Sequence, residues 1–77
     1  MAARTMRQVR EARRLTLQGL ASRAGVALST AHLVERGRRR ATLETAVRLS
    51  RALGVRPSAI REFQDVVAAV EAVKEEN

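Results

Sequence analysis

At 77 residues the chain has room for one small domain and one minimal core, which argues against a multidomain enzyme with a roofed substrate pocket. It has no cysteine, so disulfide scaffolds, zinc-finger spacings and thiol catalysis are excluded together. The charge is lopsided: residues 1–61 carry 14 Arg and three acids (Glu11, Glu35, Glu44), net +11, whereas residues 62–77 carry five acids and Lys74, net −4. Arg presents a planar fork that matches phosphate, so a basic body of this kind reads first as a nucleic-acid binder. A coding bias toward Arg and Ala would give the same composition. Phe63 is the only aromatic, and 14 residues are Ala. That composition suits closely packed helices, and the expected fold class is all-α. No apolar run approaches the roughly 20 residues of a membrane span, and no signal-peptide core shows at the N-terminus. A soluble, cytoplasmic and nucleoid-associated protein is expected, with no cofactor and no membrane partner.

Residues 3–14 place Met6, Val9 and Arg10 on one helical face, and Leu15 closes this first segment. Thr16 caps a second helix, carrying Leu17, Leu20, Ala21 and Ala24, which Gly25 stops. A third begins two or three residues later, with Ala31 and Val34 on its inner side, and ends at Gly37. The basic loop Arg38–Arg39–Arg40 leads to Thr42, which caps a fourth helix ending at Gly54. Pro57 suits the first position of a fifth helix, expected as one piece over 57–75. Its apolar residues Ala59, Phe63, Val66, Val70 and Val73 are spaced 4, 3, 4, 3, the period of a supercoiled pair.

Residues 16–36 thus read as a short helix, a glycine turn and a second short helix. Gly25 supplies the positive φ that a steep crossing needs, Ala21 is small at the crossing, and Val26 and Val34 anchor the pair to the core. Two short helices around a glycine are common. The sharper signal is Leu20-Ala21, Gly25-Val26, Glu35-Arg36-Gly37 and Ala52-Leu53-Gly54-Val55 at their mutual spacing within residues 6–60. In these motifs the chain resembles the lambda repressor/Cro-like helix-turn-helix family.

The resemblance implies a five-helix lambda repressor-like DNA-binding domain with an extended C-terminal helix: residues 1–61 bind DNA and residues 62–77 form an acidic extension for dimerisation or partner binding. It implies a third helix, about 28–36, inserted in the major groove of double-stranded DNA. Base or groove contacts would come from Leu28, Ser29, Thr30, His32, Leu33 and Arg36. Phosphate contacts would come from Thr16, Leu17, Gln18, Arg38, Arg39, Arg40 and Thr42. Arg10 and Glu35 match a structural ion pair between helices 1 and 3. Members are mostly transcriptional regulators that bind inverted-repeat operators as homodimers, here through Ala59, Phe63, Val66, Val70 and Val73. Several positions depart from the family pattern: Leu17 stands where Gln is usual, Ala27 where a capping Ser or Thr is usual, and Ala41 where Pro is usual. Leu28 and Leu33 offer a base edge no hydrogen bond, only contact with a thymine methyl, so direct readout is expected to be thin.

Plainer readings stand beside these. Arg38–Arg40 is by default a solvated charge run, His32 a surface histidine, and the stripe 59–73 a core-facing helix. No triad, metal-ligand spacing or phosphate loop suggests an enzyme, and no metal site is expected. The expected function is that of a homodimeric bacterial or phage repressor. The alternative is an antitoxin-like interaction protein whose C-terminal helix binds a partner protein. A third possibility makes the Leu28/Leu33 face a protein-docking surface.

Overall fold

The structure is a computed structural model that describes residues 2–76. Asn77, at the end of the expected extension, lies outside the described residues, as do the side chains of Lys74, Glu75 and Glu76. Five α-helices make up the fold: α1 (Met6–Ala12), α2 (Leu17–Ala24), α3 (Leu28–Glu35), α4 (Leu43–Leu53) and α5 (Gln64–Glu76). The segment between α4 and α5 carries two single 3-10 turns, Pro57–Ala59 and Arg61–Phe63.

Local chemistry sets the ends of the first four helices. The hydroxyls of Thr5, Thr16 and Thr42 accept hydrogen bonds from the backbone N–H groups of Gln8 (3.1 Å), Gly19 (2.9 Å) and Thr45 (3.1 Å). Gln8 completes a capping box, its side-chain oxygen accepting the Thr5 N–H at 2.9 Å. This box makes α1 shorter than the expected 3–14, because Thr5 itself is extended and begins the helix. Ala27 has the extended backbone of a cap but no side chain that can serve as one. At their C-termini all four helices close in the same way. A residue one or two positions past the helix takes a left-handed conformation, and the next N–H reaches back to a carbonyl five residues earlier. Gly25, Gly37 and Gly54 fill that position in three helices, with φ of 70°, 72° and 73°. Arg14 fills it after α1, with φ of 56°.

The core is a layer of small and medium side chains: Met6 and Val9 from α1, Leu20, Ala21 and Ala24 from α2, Ala31 and Val34 from α3, and Ala46, Leu49 and Leu53 from α4. Ala21, Ala24 and Ala31 let α2 and α3 approach closely, which keeps α3 at the surface with one side free. Ile60 and Phe63, both at 0% exposure, complete the core from the C-terminal side.

Here the structure corrects the expectation of one helix over 57–75. Ile60 is extended (φ −108°, ψ 123°) and forms an isolated parallel bridge with Arg4. The Arg4 N–H donates to the Ala59 carbonyl at 3.2 Å, and the Arg61 N–H donates to the Arg4 carbonyl at 2.8 Å. Glu62 then accepts the Met6 N–H at 2.8 Å, and Gln64 Nε2 donates to the carbonyls of Ser58 (3.0 Å) and Ile60 (2.7 Å). The backbone ahead of α1 thus competes for the hydrogen bonds a continuous helix would make, and the β-branched Ile60 accepts the extended conformation readily.

Candidate nucleic-acid interface

Helix α3 turns Ala31 and Val34 inward, and the 100° step per residue fixes what lies opposite. Ser29, His32, Leu33 and Arg36, at spacing 3, 4 and 7, form a single outer stripe. Ser29, His32 and Arg36 are exposed and Leu33 is half-buried. Leu28 flanks the stripe at 47% exposure, a large apolar side chain held in water. Thr30 sits on the other flank, half-buried against α4.

The orientation of this stripe is held from behind. Arg10 of α1 grips Glu35 at the end of α3 with a two-pronged contact: Nε to Oε2 and Nη2 to Oε1, both 2.9 Å. The third prong, Nη1, donates to the Leu15 carbonyl at 2.8 Å, tying the α1–α2 link into the same clamp. With side-chain exposures of 13% and 11%, the pair is largely withdrawn from water. The hydrogen bonds to Glu35 hold the Arg10 guanidinium above its ordinary pKa, against the opposing effect of burial. Both carboxylate oxygens of Glu35 are thus occupied by Arg10.

Beside the clamp, a cleft of about 450 Å³ is lined by Arg7, Arg10, Leu17, His32, Glu35 and Arg36. Glu35 is the sole carboxylate in that lining among the described residues, and Arg10 neutralises it, so Arg7 and Arg36 give the cleft its sign. The sequence alone does not single out Arg7. Its i, i+4 pairing with Glu11 at 3.4 Å is exposed and weak. Arg38, Arg39 and Arg40 are all exposed, in the turn after Gly37. Arg40 leans toward Asp65 of α5 at 3.9 Å, with exposures of 90% and 79%, a contact too wet to hold it. The hydroxyls of Thr16 and Thr42 are committed as acceptors to their own caps; Thr42 also donates to Thr45 Oγ1 at 3.1 Å. Leu17 is half-buried against the core and Gln18 is exposed.

The five residues expected to form a dimer stripe do not share one surface. Phe63 is core, Ala59 lies on a separate 3-10 turn, and Val66 packs against the core from the start of α5. Val70 is half-buried, and Val73 is 59% exposed. What α5 offers outward is a shallow apolar cleft of about 270 Å³, where Val67 and Val70 face Leu43 and Pro57. Val67 is invisible to the sequence pattern because it breaks the 4, 3, 4, 3 spacing.

Comparison with known proteins agrees with this geometry. A family model described as helix-turn-helix matches residues 6–60. No curated protein and no solved structure matches the chain.

Proposed function

The chain belongs to the lambda repressor/Cro-like helix-turn-helix family of DNA-binding proteins, and from that premise we propose that it is a transcriptional regulator that reads double-stranded DNA with α3. The observation that carries this reading is the outer stripe of α3, exposed and firmly clamped behind by Arg10 and Glu35. An α-helix presented this way fits the major groove of B-DNA. Leu28 and Leu33 suit thymine methyl groups, Ser29 and His32 supply the few polar contacts, and Arg36 with the Arg38–Arg40 turn meets the phosphates. Thr30 borders the groove contact, while Thr16, Leu17, Gln18 and Thr42 mark the helix ends that flank the backbone. With so few base contacts, specificity depends in part on the shape of the DNA. The protein acts as a homodimeric repressor of a bacterial or phage operator, in the cytoplasm at the nucleoid. Val70 and Val73, with Val67, join two copies and set two recognition helices about 34 Å apart on an inverted repeat.

Selection of bound fragments from random duplexes tests the reading; enrichment of an inverted repeat supports it. Replacing Arg38, Arg39 and Arg40 by Ala should lower the slope of log K against log salt by about 0.9 for each phosphate no longer neutralised. An unchanged slope removes that turn from the interface. The cleft of Leu43, Pro57, Val67 and Val70 favours a second reading, in which a partner protein rather than a second copy covers α5. A monomer by light scattering at tens of micromolar, paired with a co-purifying protein, would favour it.

A further inference from the structure

Five arginines outside the recognition face are gathered on one side of the molecule. A hollow of about 710 Å³ between α2 and α4 is lined by Arg23, Arg48 and Arg51, with Glu44 its only acid among the described residues. A neighbouring hollow of about 350 Å³ shares Arg23 and Arg51 and adds Arg13 and Arg14 from the α1–α2 link. Five guanidinium groups thus border one surface. Glu44 pairs with Arg48 at 2.9 Å, on the same helix and in water. Among the described residues no carboxylate comes within ion-pair distance of Arg13, Arg14, Arg23 or Arg51.

This surface is distinct from the α3 face. On α2, Arg23 follows Gln18 by five residues, which puts the two on opposite flanks of the buried stripe Leu20, Ala21 and Ala24. The cleft beside α3 shares no residue with either arginine-lined hollow. A narrower hollow connects the faces, running from Thr30 at α3 past Thr45 to Arg48. Arg14 adds an independent sign. It occupies, with φ of 56°, the left-handed position that glycine fills after α2, α3 and α4. A side chain there is disfavoured by the clash of its Cβ with the backbone, and such a position at a helix end is where glycine belongs. Arg14 therefore adds charge to the surface at a position where it opposes the local fold.

We propose that Arg13, Arg14, Arg23, Arg48 and Arg51 form a second phosphate-backbone site, which holds duplex DNA beyond the segment gripped by α3. The proposal rests on the DNA-binding reading above. Clustered guanidinium groups, four of them without a carboxylate partner among the described residues, repel one another; the charges of a phosphodiester chain relieve that repulsion, and the counterions it releases add to the binding. The acidic helix of a second copy is a poorer fit. The first acid of that C-terminal segment, Glu62, is half-buried and already accepts the Met6 N–H of its own chain, which draws it away from a partner's arginines. The phosphates come either from the flanks of the same duplex, reached along the Thr30–Arg48 track, or from a second duplex held at the same time.

The test uses the full chain, a duplex of roughly 20 bp (two half-sites about one helical turn apart) and the same duplex lengthened to roughly 40 bp. Arg13, Arg14, Arg23 and Arg51 are replaced together by Ala, and in a second variant together by Lys. Arg14→Gly alone supplies a variant that cannot be dismissed as unfolded, since its melting midpoint should equal or exceed that of wild type. The expected result is a salt slope lower by about 0.9 per phosphate released in the Ala variant, with the Lys variant restored to the wild-type slope. Loss confined to the longer duplex identifies the flanks as the source. Loss of the ability to hold a labelled duplex on a bead-bound one identifies a second duplex. An unchanged slope on both lengths, with bridging unchanged, overturns the proposal while leaving α3 as the DNA reader. So does an unchanged slope with loss of self-association by light scattering, which would give the surface to a second copy. Wild-type protein that binds neither duplex overturns this site and the functional reading together.

Discussion

The helices up to Leu53 and the segment after it were shaped by different forces. In the first region each boundary answers to a residue in place: threonine hydroxyls cap α1, α2 and α4, and a left-handed residue closes α1 to α4. In the second, the pattern of apolar residues favours one helix, yet a distant strand of backbone at Arg4 takes the hydrogen bonds of Ala59 and Arg61 and breaks it. Local punctuation is written where it acts. Pairing between residues more than 50 positions apart is not, and it decides which part of the C-terminal segment is core.

The largest effects should separate those two parts. Phe63 has no exposed surface, so Phe63→Ala is expected to cost about 3–5 kcal/mol, whereas Arg61→Ala, at an exposed site, should stay within about 0.5 kcal/mol. Chemical denaturation measures both. Equal effects would mean that the division of the segment into core and exterior is misplaced. A comparable effect should come from the long-range Arg10–Glu35 tie in the first region. Glu35→Ala leaves Arg10 withdrawn from water without its partner, which costs about 3–5 kcal/mol for a buried pair. A variant that melts like wild type yet binds no DNA would make Glu35 a contact residue instead of a clamp. The clamp itself should be insensitive to alkali. A raised Arg10 pKa gives stability that persists below the ordinary guanidinium value and fades only as pH rises beyond it.

What was legible follows the same division. Thr16, Gly25, Gly37, Thr42 and Gly54 announce three helices and their turns, because capping and left-handed backbone depend on single residues. Arg10 and Glu35 are legible through the family pattern alone, since nothing local joins residues 25 apart. The capping box of Thr5 and Gln8 is also local, but is hidden by apolar spacing that runs on to either side of it. The dimer stripe fails as a surface because helical spacing does not carry across Ile60, where the backbone is extended. The cleft side of Arg7 cannot be found at all from sequence, as it depends on how α1 crosses α3.

A smaller test concerns a turn in the first region. Gly25 has φ of 70°, and a Cβ there would stand 3.0 Å from an Arg48 guanidinium nitrogen. That nitrogen ends a flexible, exposed side chain and can move aside, so backbone conformation sets the penalty. Gly25→Ala should cost about 1–2 kcal/mol and lower the melting midpoint without changing the far-ultraviolet helix signal. A much larger loss would mean that Arg48 is held in place and the α2–α4 surface is stiffer than its exposure suggests.

The one predicted gain falls at the helix start, among the first four, that lacks its side-chain cap. Ala27 already has the backbone of an N-cap (φ −65°, ψ 142°), so a serine there needs no rearrangement. Its hydroxyl oxygen would accept the N–H of Thr30, as Thr16 accepts that of Gly19 at 2.9 Å. Ala27→Ser should therefore stabilise the fold by about 1 kcal/mol, read as a higher denaturation midpoint with an unchanged denaturant slope. Ala27→Val is the control: it keeps the extended backbone of the cap but adds no acceptor, and should give none of the gain. If Ser and Val behave alike, the first turn of α3 is already satisfied by solvent, and the contrast between punctuated and unpunctuated helix ends loses its energetic meaning at this position.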